Sequence, residues 1–195
     1  MYSLPTEIAI NNQTYKITNN GDYRMVIDCF FALNDIELSD EFRVYTCLII
    51  FYEDINDIED IYNKFGVDGL QTAIDEMFKF FNCNEAGSKA KYKLFDWKQD
   101  EQMICGAVNN VARTEIRALP YLHWWTFMGY YCAIGDSVFS TVLSIRDKIV
   151  KGKKLEKYEK EFKLNNPSYF EWNSKTVQQQ EDDEFLMSIW NKDKK

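Results

Sequence analysis

A single histidine, His123, and only three prolines stand in this chain of 195 residues. One histidine excludes every motif that needs two, the H-E-x-x-H zinc helix among them. The five cysteines, Cys29, Cys47, Cys83, Cys105 and Cys132, are scattered, odd in number and form no C-x-x-C pair. They supply no metal-binding spacing with one histidine. Nor do they suggest a disulfide framework, which fits a reducing compartment. Cys29, Cys47, Cys105 and Cys132 lie among apolar neighbours and read as small buried hydrophobes. The patterns G-x-S-x-G, G-x-x-x-x-G-K-[ST] and G-x-G-x-x-G are all missing, so no nucleophile elbow, phosphate loop or dinucleotide fingerprint is present. No apolar run reaches membrane-spanning length. The start, Met1-Tyr2-Ser3-Leu4-Pro5, lacks the charged region and long apolar stretch of a signal peptide. A net charge of -8 argues against attraction of the whole surface to nucleic acid or to anionic membranes. Neither a cofactor nor a metal is expected, and a binding protein is expected rather than an enzyme.

What is abundant is aromatic. Rings make up 16% of the chain and apolar residues 46%, enough for one domain with a sizeable core or for two small ones. Residues Thr6–Ile10 and Thr14–Ile17 predict a hairpin with its turn at Asn11-Asn12-Gln13. Asn19-Asn20-Gly21-Asp22 then breaks the strand and offers a helix cap. From there the apolar period becomes helical. Val26, Cys29, Phe30 and Leu33 share one face, as do Val44, Cys47, Leu48 and Phe51 after a cap at Ser39. Ile55, Ile58, Ile61 and Tyr62 predict a further short helix. Leu70, Ala73, Ile74 and Met77, after Asp68, predict a separate one. Asp96 with Gln99 resembles a capping box for a helix carrying Trp97, Ile104, Val108 and Val111 and ending near Ala112. Pro120 suits a first helical residue, and Tyr121–Ala133 is apolar nearly all round, so that helix is either central or covered by another chain. Ser137 caps a helix with a stripe at Val138, Val142, Ile145 and Ile149. Leu155, Tyr158 and Phe162 mark a last short helix, stopped by Asn165-Asn166-Pro167.

The expected fold is therefore mainly α: a multi-helix globular protein with a short N-terminal β-hairpin. Residues 1–82 form a hairpin and helical subdomain, 83–93 an exposed loop, 94–166 an aromatic-rich helical core, and 167–195 an acidic tail with an apolar cluster at Phe185, Leu186, Ile189 and Trp190.

Four constellations invite a functional reading. His123, between Leu122 and Trp124, reads as a packed, hydrogen-bonded histidine rather than a catalyst. Asp100 and Glu101 sit one turn after Trp97, and a functional reading makes Asp100 a catalytic acid. The reading preferred is a helix N-terminal carboxylate or a partner for Arg113, Arg117 or Arg146. The lysine-rich run Arg146, Lys148, Lys151, Lys153, Lys154, Lys157, Lys160 and Lys163 is interleaved with Asp147, Glu156, Glu159 and Glu161. It is either a basic strip for an acidic partner or nucleic acid, or a solvated face with pairs such as Glu156 with Lys160; the solvated face is preferred. The aromatic segment from Tyr121 to Tyr131 reads first as core and second as a docking surface.

Several stretches form one pattern: Leu4-Pro5-Thr6-Glu7-Ile8 with Tyr15-Lys16-Ile17, Leu94-Phe95-Asp96-Trp97 with Asp100, and Tyr121-Leu122-His123-Trp124-Trp125-Thr126-Phe127. Phe139-Ser140, Ser144-Ile145-Arg146 with Lys148, and Gly152-Lys153-Lys154-Leu155 complete it. Together they resemble the bacteriophage gene-product-fifteen family, found in long-tailed phages and prophages of Gram-positive bacteria. The likeness runs to about residue 166 and is strongest from 94 onward. It implies a role in tail morphogenesis, because genes of this family typically precede the tape-measure gene, where other phages encode tail assembly chaperones. Such proteins keep the long, apolar, helical tape-measure protein soluble in the bacterial host cytoplasm and are usually absent from the finished particle. The alternative is a structural tail or head–tail connector protein. No active-site residues come with the resemblance. Tyr121, Trp124, Trp125 and Tyr131 are the candidate aromatic anchors for the tape-measure protein, and Lys153, Lys154 and Lys157 the candidate steering charges. Other tail assembly proteins are further candidate partners, no membrane or nucleic-acid partner is expected, and self-association stays open.

Overall fold

The computed structural model describes residues 3–85 and 92–172. In chain order they form two strands, β1 (Glu7–Ile10) and β2 (Gln13–Lys16), and seven α-helices: α1 (Tyr23–Leu33), α2 (Asp40–Phe51), α3 (Ile58–Phe81), α4 (Glu101–Ala112), α5 (Trp124–Cys132), α6 (Val138–Val150) and α7 (Lys157–Asn165). The protein is thus mainly α with an antiparallel N-terminal hairpin, as its residue pattern predicts. The described residues divide into two compact units. Those of Met1–Lys89 and Tyr121–Met128 make one, and those of Ala90–Pro120 and Gly129–Val177 the other. Most of the expected 83–93 loop, and the tail from 173 with its cluster at Phe185, Leu186, Ile189 and Trp190, lie outside the described residues.

In the first unit, β1 pairs with β2 through Ile8↔Tyr15 and Ile10↔Gln13, leaving Asn11 and Asn12 as a two-residue turn. Both have positive φ, 48° and 66°, the sign that the mirror-image hairpin turns require and that asparagine tolerates. Ile8 and Ile10 face inward. Gly21 has φ +78°, and a Cβ there would lie 2.8 Å from Phe80 Cζ and 3.0 Å from His123 Nε2, so only glycine fits. Asp22 caps α1 by accepting from the Arg24 amide at 3.0 Å. Its other carboxylate oxygen accepts from the Leu122 amide at 2.9 Å. Val26, Cys29 and Leu33 of α1 are buried with Val44, Cys47, Leu48 and Phe51 of α2, the faces that the spacing marks. Ser39 caps α2 as expected.

The apolar spacing predicts two helices between Ile55 and Met77, but the chain forms one element that starts at Ile58, leaves Ile55 outside and has a break inside. Gly66 (φ 64°, ψ 176°) leaves helical geometry in α3, so the division falls at this glycine rather than at Asp68. A second difference concerns Pro120, which starts no helix. Tyr23 donates to the Leu122 carbonyl at 2.9 Å, and Asp22 and His123 form an antiparallel bridge. These bonds hold residues 121–123 extended, and α5 begins at Trp124.

In the second unit Asp96 caps a turn instead of a helix. Its Oδ1 accepts from the amides of Lys98 and Gln99 at 2.9 and 2.8 Å, and α4 starts only at Glu101. The expected end at Ala112 holds, with Arg113 in left-handed geometry at φ 58°. Ser137 and Ser140 form a reciprocal capping box for α6. Val142 and Ile145 are buried, but Val138 and Ile149 are exposed. They sit in the first and last turns, while the inward face rotates towards Phe139 and Arg146. Cys132 also departs from expectation: it ends α5 on the surface, while Cys29, Cys47 and Cys105 are buried.

Candidate interaction surface

The aromatic segment is divided between core and surface. Trp124, only 1% exposed, is wholly internal. Its Nε1 donates to the Phe81 carbonyl at 2.9 Å, its ring stacks on Phe127 at 5.5 Å, and Phe30 meets it edge-on. It presents no face to a partner. Trp125 is half-buried; its Nε1 donates to the Phe80 carbonyl at 2.9 Å, and its ring lies against Phe80. It also helps to line a small cleft of about 250 Å³ with Pro5, Glu7, Glu76 and Asn84. Tyr121 keeps 43% of its surface in solvent, although its hydroxyl donates to the Asn20 carbonyl at 2.9 Å. Tyr131 belongs to the second unit, half-buried among Phe95, Trp97 and Phe139.

His123 is packed and hydrogen-bonded, as its neighbours suggest. Its Nδ1 accepts from the Trp125 amide at 3.0 Å. The proton therefore sits on Nε2, which donates to the Pro5 carbonyl at 3.0 Å. Burial pushes the imidazole below its ordinary value, against smaller opposing effects of the Pro5 hydrogen bond and Asp22. The unfolded chain takes up a proton near the ordinary value of about 6.5, which the folded ring resists. Stability is therefore lost as pH falls through that value. Urea midpoints measured at about pH 7.5 and about pH 5.5 should show this loss, and His123→Gln should shrink the difference.

Asp100 pairs with Arg146. The guanidinium donates to both carboxylate oxygens at 2.6 and 2.9 Å, and both side chains are buried. Arg146 also donates to the carbonyls of Leu94 and Tyr169, and its guanidinium carbon lies 4.4 Å from the Trp172 ring centroid. Of the three arginine partners weighed for Asp100, this is the one the fold selects. The pair ties α4 to α6, and Arg146 also holds the segment before α4 and the turn after α7.

The lysine-rich run turns one part inward and leaves the rest outward. Lys148 donates to buried Glu159 at 2.6 Å, anchoring α7, and the ammonium holds that carboxyl below the usual range. Lys151 pairs with Asp147. Lys153, Lys154 and Lys157 are exposed and make no ion pair among the described residues. Beside them lies a feature that spacing alone does not disclose. Leu155, Leu164, Pro167 and Phe170 line an open groove of about 520 Å³, with Lys160, Lys163 and Glu171 also on its wall. Leu164 is 79% exposed and Tyr158 64%. The only hint in the sequence is that Leu164 stands off the Leu155–Tyr158–Phe162 stripe.

Tyr121, Trp124 and Trp125 thus cluster around His123 in one unit, while Tyr131 and the lysines belong to the other. Among the described residues no set of three or more His, Cys, Asp or Glu side chains could hold a metal, and no helix is long and apolar enough to cross a membrane. No curated protein and no solved structure matches the chain. The family model described as Bacteriophage Gp15 protein matches residues 2–169. That span takes in every strand and helix described above, and the chain belongs to the bacteriophage Gp15 family.

Proposed function

We propose that this phage protein is a tail assembly chaperone: it binds the tape-measure protein in the host cytoplasm and keeps it soluble until tail-tube subunits enclose it. The observation that carries the reading is the exposed apolar and cationic surface of α7 and its flanks, in a member of a phage family. A chaperone for an apolar helical client needs apolar area that survives its own folding, with enough charge around it to stay soluble. The buried ionisable groups support binding over catalysis, because Asp100, Arg146, Glu159 and His123 are each committed to internal partners.

Affinity capture from cells producing phage, followed by mass spectrometry, tests this. The tape-measure protein should co-purify with the tagged chain, and the chain should be missing from purified particles. Abundant chain in mature particles would instead favour a structural tail or connector protein.

A further inference from the structure

We propose that the groove between α7 and the Pro167–Tyr169 turn receives an acidic, amphipathic α-helix of another protein; this rests on the chaperone reading and names the client's chemistry. Three observations carry it.

The first is charge. Residues 151–164 hold six lysines against three glutamates, in a chain whose net charge is -8. Glu159 is taken by Lys148 and Lys151 by Asp147, so five lysines face two glutamates and the positive excess stands. The second is the apolar floor. Leu155, Leu164, Pro167 and Phe170 would be wasted against phosphate, which needs donors and no hydrocarbon, so lysines around such a floor fit a guest with both acid and apolar side chains. The third is the backbone. The groove is built from a helix and a 3-10 turn, and the described strands β1 and β2 belong to the other unit. The groove offers no strand edge, so a guest must satisfy its own peptide groups, and an α-helix does so. Its anchors at i, i+3, i+4 and i+7 would meet the floor, while flanking carboxylates meet Lys160 and Lys163 on the wall.

The probe is a fluorescein-labelled synthetic helix of about 18 residues, long enough to fold alone, with leucine at i, i+3, i+4 and i+7 and glutamate on both flanks. Its anisotropy is read against the full chain. Binding is expected, weakening with salt, about tenfold weaker for Lys160→Glu with Lys163→Glu and about fivefold weaker for Leu164→Gln. A matched peptide with lysine in place of glutamate should bind at least about tenfold more weakly. Circular dichroism checks that these surface variants stay folded. Equal binding by wild type and variants overturns the proposal. So does failure of the peptide alongside self-association, or duplex DNA binding, that the same lysine reversals abolish. Capture of the tape-measure protein at wild-type level by the Lys160→Glu, Lys163→Glu chain overturns the groove and leaves the chaperone reading standing. Peptide binding at the groove with no tape-measure capture supports the groove and overturns that reading.

Discussion

Arg146→Met should lower the unfolding free energy by about 3–5 kcal/mol, the range for breaking a buried ion pair on one side only. The guanidinium is 4% exposed and the Asp100 side chain 1%, so the carboxylate left behind has little water to turn to. The substitution also removes donors from the Leu94 and Tyr169 carbonyls and the cation above Trp172. Methionine fills most of the volume, so the loss reports charge and hydrogen bonds more than a cavity. Adding Asp100→Leu to the same chain should recover part of the loss, because an apolar pair in a buried site has no stranded charge. Urea unfolding followed by tryptophan fluorescence measures both. A cost near that of a surface pair, about 0–1 kcal/mol, would mean that the pair does not hold this unit together.

Trp124→Ala should cost about 3–5 kcal/mol through the cavity it opens. The Phe81 carbonyl also loses its donor, which adds to the penalty for a buried acceptor. Trp124→Phe keeps a ring against Phe127 and Phe30 and should cost less, about 1–3 kcal/mol, most of it from the missing Nε1 hydrogen bond. This pair of variants separates two roles that sequence reading leaves joined. A residue that anchors a partner loses binding at unchanged stability, and a core residue loses stability first. Unchanged unfolding in Trp124→Ala, with client binding gone, would contradict the placement described here.

These two side chains also show where sequence reading reaches its limit. Local devices are legible: Asp22, Ser39 and Ser137 cap helices, and Asn11-Asn12 turns a hairpin, because each acts within a few residues of itself. The inward faces of α1 and α2 are legible for the same reason, since one helical period places four apolar residues together. Contacts between distant segments override local preference elsewhere. Pro120 is suited to begin a helix, yet Asp22 and Tyr23, about a hundred residues earlier, hold the following residues extended. Asp100 stands at the start of α4, but its carboxylate goes to Arg146 on another helix instead of capping its own. Apolar identity likewise does not say which side will be covered, and Val138, Ile149 and Cys132 end up exposed. In the candidate surface, the lysines are visible as a run of charge. The apolar floor is not, because Leu164 and Phe170 come to line one groove only through the 3-10 turn at Pro167–Tyr169 between them.

Co-expression of the chain with its cognate tape-measure protein tests the chaperone proposal most directly. The tape-measure protein should move from the insoluble to the soluble fraction and co-elute with the chain on size exclusion. A tape-measure protein that stays insoluble, with no complex captured, would contradict the proposed function.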